Sequence, residues 1–576
     1  MEGCLKSRDF VVRFAGEGGQ GVVTSAEALA RAAAQVGYHV YTFATFPSQI
    51  LGGPTWTQVR ISTNPVQSQG DSLDILVAFN RYAYDNHISE LRPDGVVIYN
   101  SEEFDLGGES GRSFGMAVDQ IAKEVNNARA ANMVVIGGVA QLVDMPVKYL
   151  EDFVVKRFTR GRDEDAQIIE SNIKALRAGA EVARKSGFQL GELEPPTPPK
   201  YDQLLIRGNE ALALGATAAG LNFYVGYPIS PATTILVWME NNLPGKGRFV
   251  HQVSSEIEAI TAILGAGYAG ARSMTATAGP GFSLMSEGLG LAWMAEIPLV
   301  VIDVQRGGPA TGLPTKTEQS DLLSALHPAH GDVKLPVIAP GTVEECFEAS
   351  IYALNWAERY QGPVIVLSEM ALAERSQNIR KPDLGAVKSE RRKVYTGSNG
   401  YQRYEARELS EMPLPGGPGA YVANGSEHDG MGDTTHLPER HIRGTERRFG
   451  KLNLLNDGHY EAEHASSPIV VLPWGGSKGP AREAFNLLRE QGVDIGWLYT
   501  MFLHPMPPKL LEILRKKELV IVPELNYQGQ FSSILRGDGI RAESIRQYSG
   551  LPFKANELAV RLKARIKQHQ ERKVPA

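Results

Sequence analysis

Residues 227–234, 251–260, 274–282 and 297–321 read YPISPATT, HQVSSEIEAI, MTATAGPGF and IPLVVIDVQRGGPATGLPTKTEQSD. Each joins a strand or turn end to a polar or glycine-rich loop, and three of the four then open a helix. Strands alternating with helices predict an α/β fold with a doubly wound sheet. In open sheets of this kind ligands sit beyond the carboxyl ends of the strands, where such loops converge. The expectation is that these four loops meet at one pocket.

The polar residues of the loops each carry two readings. Ser230 precedes Pro231 and reads as a helix cap followed by proline at the first helical position. A hydroxyl there can accept from helix amides while donating to a ligand, and a carboxylate arriving at a helix start is favourably placed. Ser255 and Glu258 have capping-box spacing. Glu256 lies between them and is not needed by the box, so it is either a first-turn acid favoured by the helix dipole or a carboxylate aimed into the pocket. Gly279 and Gly281 flank Pro280 in a tight turn, and glycine also lets backbone approach a flat ligand. Arg306 follows the buried strand IPLVVIDV. It can make a surface salt bridge or grip a carboxylate through two parallel bonds. The loop behind it carries Thr311, Thr315 and Thr317.

Upstream, FVVRF (10–14), AGEGGQG (15–21), a helical pattern from Val22 and HVYTF (39–43) form a strand–loop–helix–strand unit. Gly16, Gly18 and Gly21 satisfy G-x-G-x-x-G. A dinucleotide site also needs an acid at the end of the second strand to hold a ribose, and residues 41–45 read YTFAT. A tight turn is therefore favoured over an NAD site. Strands at LDILVAFN and GVVIYN continue this domain to about Gly187, and the proline-rich stretch GELEPPTPPKYDQ (191–203) reads as an exposed linker. Between roughly Arg375 and Ser467 the pattern deteriorates. His428, His436 and His441 there match no zinc spacing, which favours a solvated segment. A last α/β stretch begins at PIVVLPWGG (468–476). Gly537–Gly539 reads GDG after ILR and is taken as a turn.

A chain of 576 residues is too long for one core. A net charge of -6 argues against a nucleic-acid surface. No apolar run is long enough to span a bilayer and no signal-peptide core opens the chain, so a cytoplasmic location is expected. Only Cys4 and Cys346 are present. They are too far apart to hold an iron–sulfur cluster, so cluster chemistry must come from a partner.

Taken together, AGEGGQG with VRIS (59–62), YPISP, SSEIEAI, TATAGPGF, QRGGPATGLPT, GSEHD (425–429), MFLHPMPP (501–508) and PELNYQGQ (523–530) resemble the 2-oxoacid:ferredoxin oxidoreductases. The likeness covers essentially the whole chain and is nearest the fused γ–α subunit typical of 2-oxoglutarate:ferredoxin oxidoreductase. It implies three doubly wound domains: a γ-type domain over 1–190, the proline-rich linker 191–203, a pyrimidine-type thiamine pyrophosphate-binding domain over 204–375, an irregular interdomain segment 376–467, and a transketolase-C-like domain over 468–576.

The implied activity is CoA-dependent oxidative decarboxylation of a 2-oxoacid, 2-oxoglutarate before pyruvate, to an acyl-CoA and CO₂ with electrons passed to ferredoxin. The implied partner is a β subunit carrying Mg²⁺ and a 4Fe–4S cluster and sharing the thiamine pyrophosphate, in an (αβ)₂ heterotetramer. Glu256 then matches the glutamate at N1′ of the aminopyrimidine, with Tyr227, Pro228, Thr277 and Gly279 also on the cofactor. Ser230, Arg306 and Thr315 match residues that bind the oxoacid. Ser230 replaces a threonine and retains its hydroxyl. Leu51-Gly52-Gly53 stands where relatives often have Arg-Gly-Gly. The rival readings are a dinucleotide oxidoreductase built on the first glycine loop and a non-catalytic scaffold.

Overall fold

The computed structural model describes residues 6–7, 9–47, 53–109, 111–197 and 201–572. Cys4, Leu51 and Gly52 lie outside them. The chain divides into two compact units, residues 1–206 with 375–381, and residues 207–374 with 382–576.

The first unit is built on an eight-stranded mixed sheet in the order Ser113–Met116, Leu91–Asn100, Leu73–Ala78, Asp9–Glu17, Pro54–Ser62, His39–Thr45, Ser376–Arg380, Gln203–Arg207. Along Asp9–Glu17 the period of two puts Phe10, Val12 and Phe14 into one apolar cluster and Val11 and Ala15 into another, so both faces are covered. The glycine-loop unit departs from the sequence expectation at its second strand. Pro54–Ser62 lies between Asp9–Glu17 and His39–Thr45, antiparallel to both. The two strands of a dinucleotide site are thus separated, and the loop is filled by its own neighbours. The Gln20 side chain accepts from the Glu17 amide at 2.7 Å and from Asn80 at 3.1 Å. The glycines serve a tight turn, which disfavours the dinucleotide reading. Helices Ala131–Leu142 and Asp165–Ser186 cross closely; a Cβ on Gly179 would stand 1.8 Å from the carbonyl oxygen of Val134. Part of the linker is ordered, with Glu192–Leu193 pairing in parallel with Lys6–Ser7.

The second unit holds two sheets. The larger runs Phe249–Gln252, Phe223–Gly226, Ser273–Thr277, Leu299–Gln305, Pro363–Glu369, Val337–Ile338, Phe502–His504, parallel except for the last pairing. The expected small-residue helix spans Gly208–Ala218 and packs on helix Val343–Tyr360, where a Cβ on Gly215 would meet the Phe347 carbonyl oxygen at 2.1 Å. The smaller sheet orders Glu461–Glu463, Gly496–Tyr499, Ile469–Val471, Leu519–Glu524, Ala542–Arg546, with only the first strand antiparallel.

Residues 382–437 are largely irregular but not solvated throughout, contrary to the sequence expectation. Arg403 is fully buried, and Arg392 makes a buried ion pair with Glu358 at 2.7 Å. Glu296, at the end of a helix–strand turn, is buried with Arg447 at 2.8 Å and Lys451 at 2.9 Å from helix Pro438–Gly450 and its extension. Charge-rich sequence hides these contacts because each cation's partner lies far along the chain. Among the described residues no helix is long and apolar enough to cross a membrane.

Candidate functional site

The four loops all leave the carboxyl edge of the larger sheet. Ser273–Thr277 pairs with Phe223–Gly226 on one side and with Leu299–Gln305 on the other, all in parallel. The loops that follow these strands are therefore neighbours by construction.

Glu256 is the first residue of helix Glu256–Tyr268, which is capped by the Ser255 hydroxyl accepting from the Glu258 amide at 3.2 Å. Only half of the expected capping box forms. The Glu258 carboxylate reaches the Ser254 amide at 2.8 Å and the Ser254 hydroxyl at 2.7 Å instead of the Ser255 amide. That leaves Glu256 without a capping task. Its side chain is 6% exposed and has no salt bridge among the described residues. The carboxylate faces the glycine turn. A Cβ on Gly281 would lie 2.4 Å from Glu256 Oε1 and 2.1 Å from Thr277 Oγ1. Glycine at 281 is therefore required for Glu256 and Thr277 to converge there.

Arg306 follows strand Leu299–Gln305 by one residue and is 7% exposed. Its Nη1 donates to the carbonyl oxygen of Ser230 at 2.6 Å. This corrects the cap reading of Ser230. A cap's carbonyl accepts the first helical bond, whereas here that carbonyl is turned to Arg306 and the helix starts at Thr233 with Ala232 as its cap. Ser230 itself stays exposed. Tyr227, on the same loop, is 38% exposed and Pro228 half-buried. The loop that carries Thr315 folds back on the residue after Arg306, where the Gly307 amide donates to the Lys316 carbonyl at 3.0 Å and the Leu313 amide to the Gly307 carbonyl at 2.8 Å.

Two acids escaped the sequence reading. Asp303 interrupts an otherwise apolar strand, pairs in register with Thr277, and is fully buried with neither carboxylate oxygen hydrogen-bonded among the described residues. Burial, reinforced by Asp321, raises its pKa well above the usual carboxylate range. Asp321 lies against the turn, 2.8 Å from where a Gly279 Cβ would be. Burial and Glu318 push it up to about 6, against the pull of Arg306. Burial lowers the Arg306 pKa, and Asp321 opposes that shift. The signal available in sequence was a lone acid inside a buried strand.

These loops thus bring together a buried carboxylate, without a salt bridge among the described residues, over a glycine cradle, an arginine a loop away and the exposed Ser230. That donor set fits the aminopyrimidine end of thiamine pyrophosphate, whose ring needs a flat approach and an acid at one ring nitrogen.

Residues 214–447 match the family model described as pyruvate flavodoxin/ferredoxin oxidoreductase, thiamine diphosphate-binding, and residues 11–182 that of pyruvate ferredoxin/flavodoxin oxidoreductase. The chain is 33% identical to 2-oxoglutarate oxidoreductase subunit KorA of Mycobacterium tuberculosis, over 96% of this chain and 91% of that protein. It is 35% identical to 2-oxoglutarate synthase subunit KorA of Methanocaldococcus jannaschii, over 56% of this chain and 88% of that protein. The solved 2-oxoglutarate:ferredoxin oxidoreductase from Magnetococcus marinus, with 2-oxoglutarate, coenzyme A and succinyl-CoA bound, matches at a TM-score of 0.91 and 36% identity, covering 97% of this chain and all of that one.

Proposed function

This chain belongs to the 2-oxoacid:ferredoxin oxidoreductases, and on that premise we propose that it is the alpha subunit of a 2-oxoglutarate:ferredoxin oxidoreductase. The reaction takes 2-oxoglutarate, coenzyme A and two oxidised ferredoxins to succinyl-CoA, CO₂, two reduced ferredoxins and a proton. A β subunit supplies Mg²⁺, the pyrophosphate site and a 4Fe–4S cluster in this reading, as one half of an (αβ)₂ assembly in the cytoplasm. The observation that carries it is the Glu256 carboxylate, buried at a helix start and opposed by Gly281 and Thr277.

Thiamine pyrophosphate, when bound, supplies the nucleophilic carbon and the electron sink that decarboxylation of a 2-oxoacid requires. Glu256, the first residue of its helix, would hold a proton at N1′ of the aminopyrimidine. Thr277, Gly279 and Gly281 form the wall that lets the ring lie close, and Tyr227 and Pro228 border it from the neighbouring loop. Arg306 binds the oxoacid's carboxylate. Ser230 and Thr315 offer hydroxyls to the carboxylate and keto oxygens, fixing which face of the keto group meets the cofactor.

The test is an anaerobic assay of the complex co-purified with its β chain, given coenzyme A and a low-potential acceptor. Higher kcat/KM with 2-oxoglutarate than with pyruvate is expected, with none from this chain alone. A preference for pyruvate would overturn the substrate, and turnover by the isolated chain would overturn the shared site.

A further inference from the structure

The loop that carries Arg306 and Thr315 is held from outside the sheet that bears it. Its base closes where the Asp321 amide donates to Gln305 Oε1 at 3.0 Å, while Gln305 Nε2 donates to the Ser368 carbonyl at 3.0 Å. Just before that closure, Gln319 is fully buried and engages the C-terminal α/β segment with every polar group it has. Its amide donates to the Leu525 carbonyl at 2.8 Å, and its Oε1 accepts from the Leu525 amide at 2.9 Å. Its Nε2 donates to the Trp474 carbonyl at 2.8 Å, and its carbonyl accepts from Asn526 Nδ2 at 3.0 Å. Gln530 adds a bond to the Ser320 carbonyl at 2.7 Å, and the Thr317 amide reaches the Gly550 carbonyl at 3.2 Å.

We infer that Gln319 is a positioning residue, the latch by which the C-terminal α/β segment sets the place of the oxoacid-binding loop. The amide group is suited to this task. A side chain that must accept from one backbone amide and donate to one backbone carbonyl at the same time is met by glutamine and by a protonated glutamate, but not by an ionised one. The pattern mimics a strand pairing, so it resists both sliding and twisting of the segment from Thr317 to Asp321. Residues 306–316 then run between two fixed ends, Gln305 and Thr317, and Arg306 and Thr315 keep their spacing. The consequence for oxoacid binding rests on the substrate reading given above; the latch itself does not.

The test uses the assembled complex with Gln319→Leu and Gln319→Glu. In Gln319→Leu the oxoacid KM should rise about tenfold or more, the scale of leaving a buried hydrogen-bonding group unpaired, with kcat little changed. Gln319→Glu should bind oxoacid nearly as wild type at low pH, where the acid can still donate to Trp474, and lose affinity as pH rises and it ionises. A structural role alone would lower the yield of active complex without that pH profile. Hydrogen exchange over residues 307–317 separates the two layers. Faster exchange in Gln319→Leu with unchanged KM would uphold the latch and remove the oxoacid assignment, whereas wild-type exchange and wild-type KM at every pH would overturn the latch. Where Gln319→Leu does not assemble, the pH series on Gln319→Glu decides the matter alone.

Discussion

The Arg306 guanidinium donates to the carbonyl oxygen of Ser230 at 2.6 Å, joining two loops that lie far apart in sequence at the edge of one sheet. One nitrogen is committed to that backbone bond, so the fork of the guanidinium is held at a set angle to the pocket. A lysine ammonium cannot hold the carbonyl and a carboxylate in the same planar geometry. Arg306→Lys should raise the oxoacid KM by roughly 10- to 100-fold, the worth of one charge-assisted hydrogen bond, with a smaller change in kcat. Steady-state kinetics on the assembled complex checks this, and an unchanged KM would count against the assignment.

Gly281 tests the cradle with the glutamate itself left in the sequence. A Cβ there would sit 2.1 Å from Thr277 Oγ1 and 2.4 Å from Glu256 Oε1, closer than any real contact. In Gly281→Ala the carboxylate must move aside. Turnover should fall by about 100-fold, as small misplacements of catalytic groups do, while circular dichroism remains that of the wild type. Wild-type turnover would show that Glu256 need not stand where it does.

The Glu296 cluster predicts how the second unit responds to acid. Burial alone would raise this carboxyl, but Lys451, Arg447 and Arg403 together hold it well below its ordinary value of 4.5. A carboxyl whose folded pKa is depressed contributes stability that is complete above the unfolded value and is lost as pH falls through the folded one. Thermal stability should therefore decline below about pH 4.5 in the wild type, and less steeply in Glu296→Gln. Glu296→Ala should cost about 3–5 kcal/mol at neutral pH, because it strands buried cations. Differential scanning calorimetry across the pH range measures both, and equal acid sensitivity in wild type and variant would contradict the cluster's role.

The sheet edge at which these loops gather is legible in the sequence, and the contacts that support it are not. Glu256 was singled out because Ser255 and Glu258 already satisfied a local pattern, and the structure leaves it free of that pattern. Arg306 was found at the end of a strand whose apolar run announced itself. The convergence of Ser230, Thr277, Gly279, Gly281 and Arg306 followed from the rule that parallel strands deliver their loops to one edge. What the sequence withheld depends on partners far along the chain. Gln319 meets Trp474 and Leu525, and Glu296 meets Lys451, with nothing local to mark either. Likewise no periodicity shows that Pro54–Ser62 inserts between two strands flanking a glycine loop, because pairing order is not encoded in either strand's own pattern.

The central claim is that Glu256 acts on the thiamine ring from a helix start provided by this chain. The direct measurement is turnover of Glu256→Gln in the purified complex with its β subunit, at saturating oxoacid, coenzyme A and acceptor. Loss of the proton-exchanging carboxylate should lower kcat by about 10²- to 10⁴-fold, the usual worth of a general acid–base, with subunit assembly intact by size-exclusion chromatography. A variant that assembles and turns over at the wild-type rate would contradict the account.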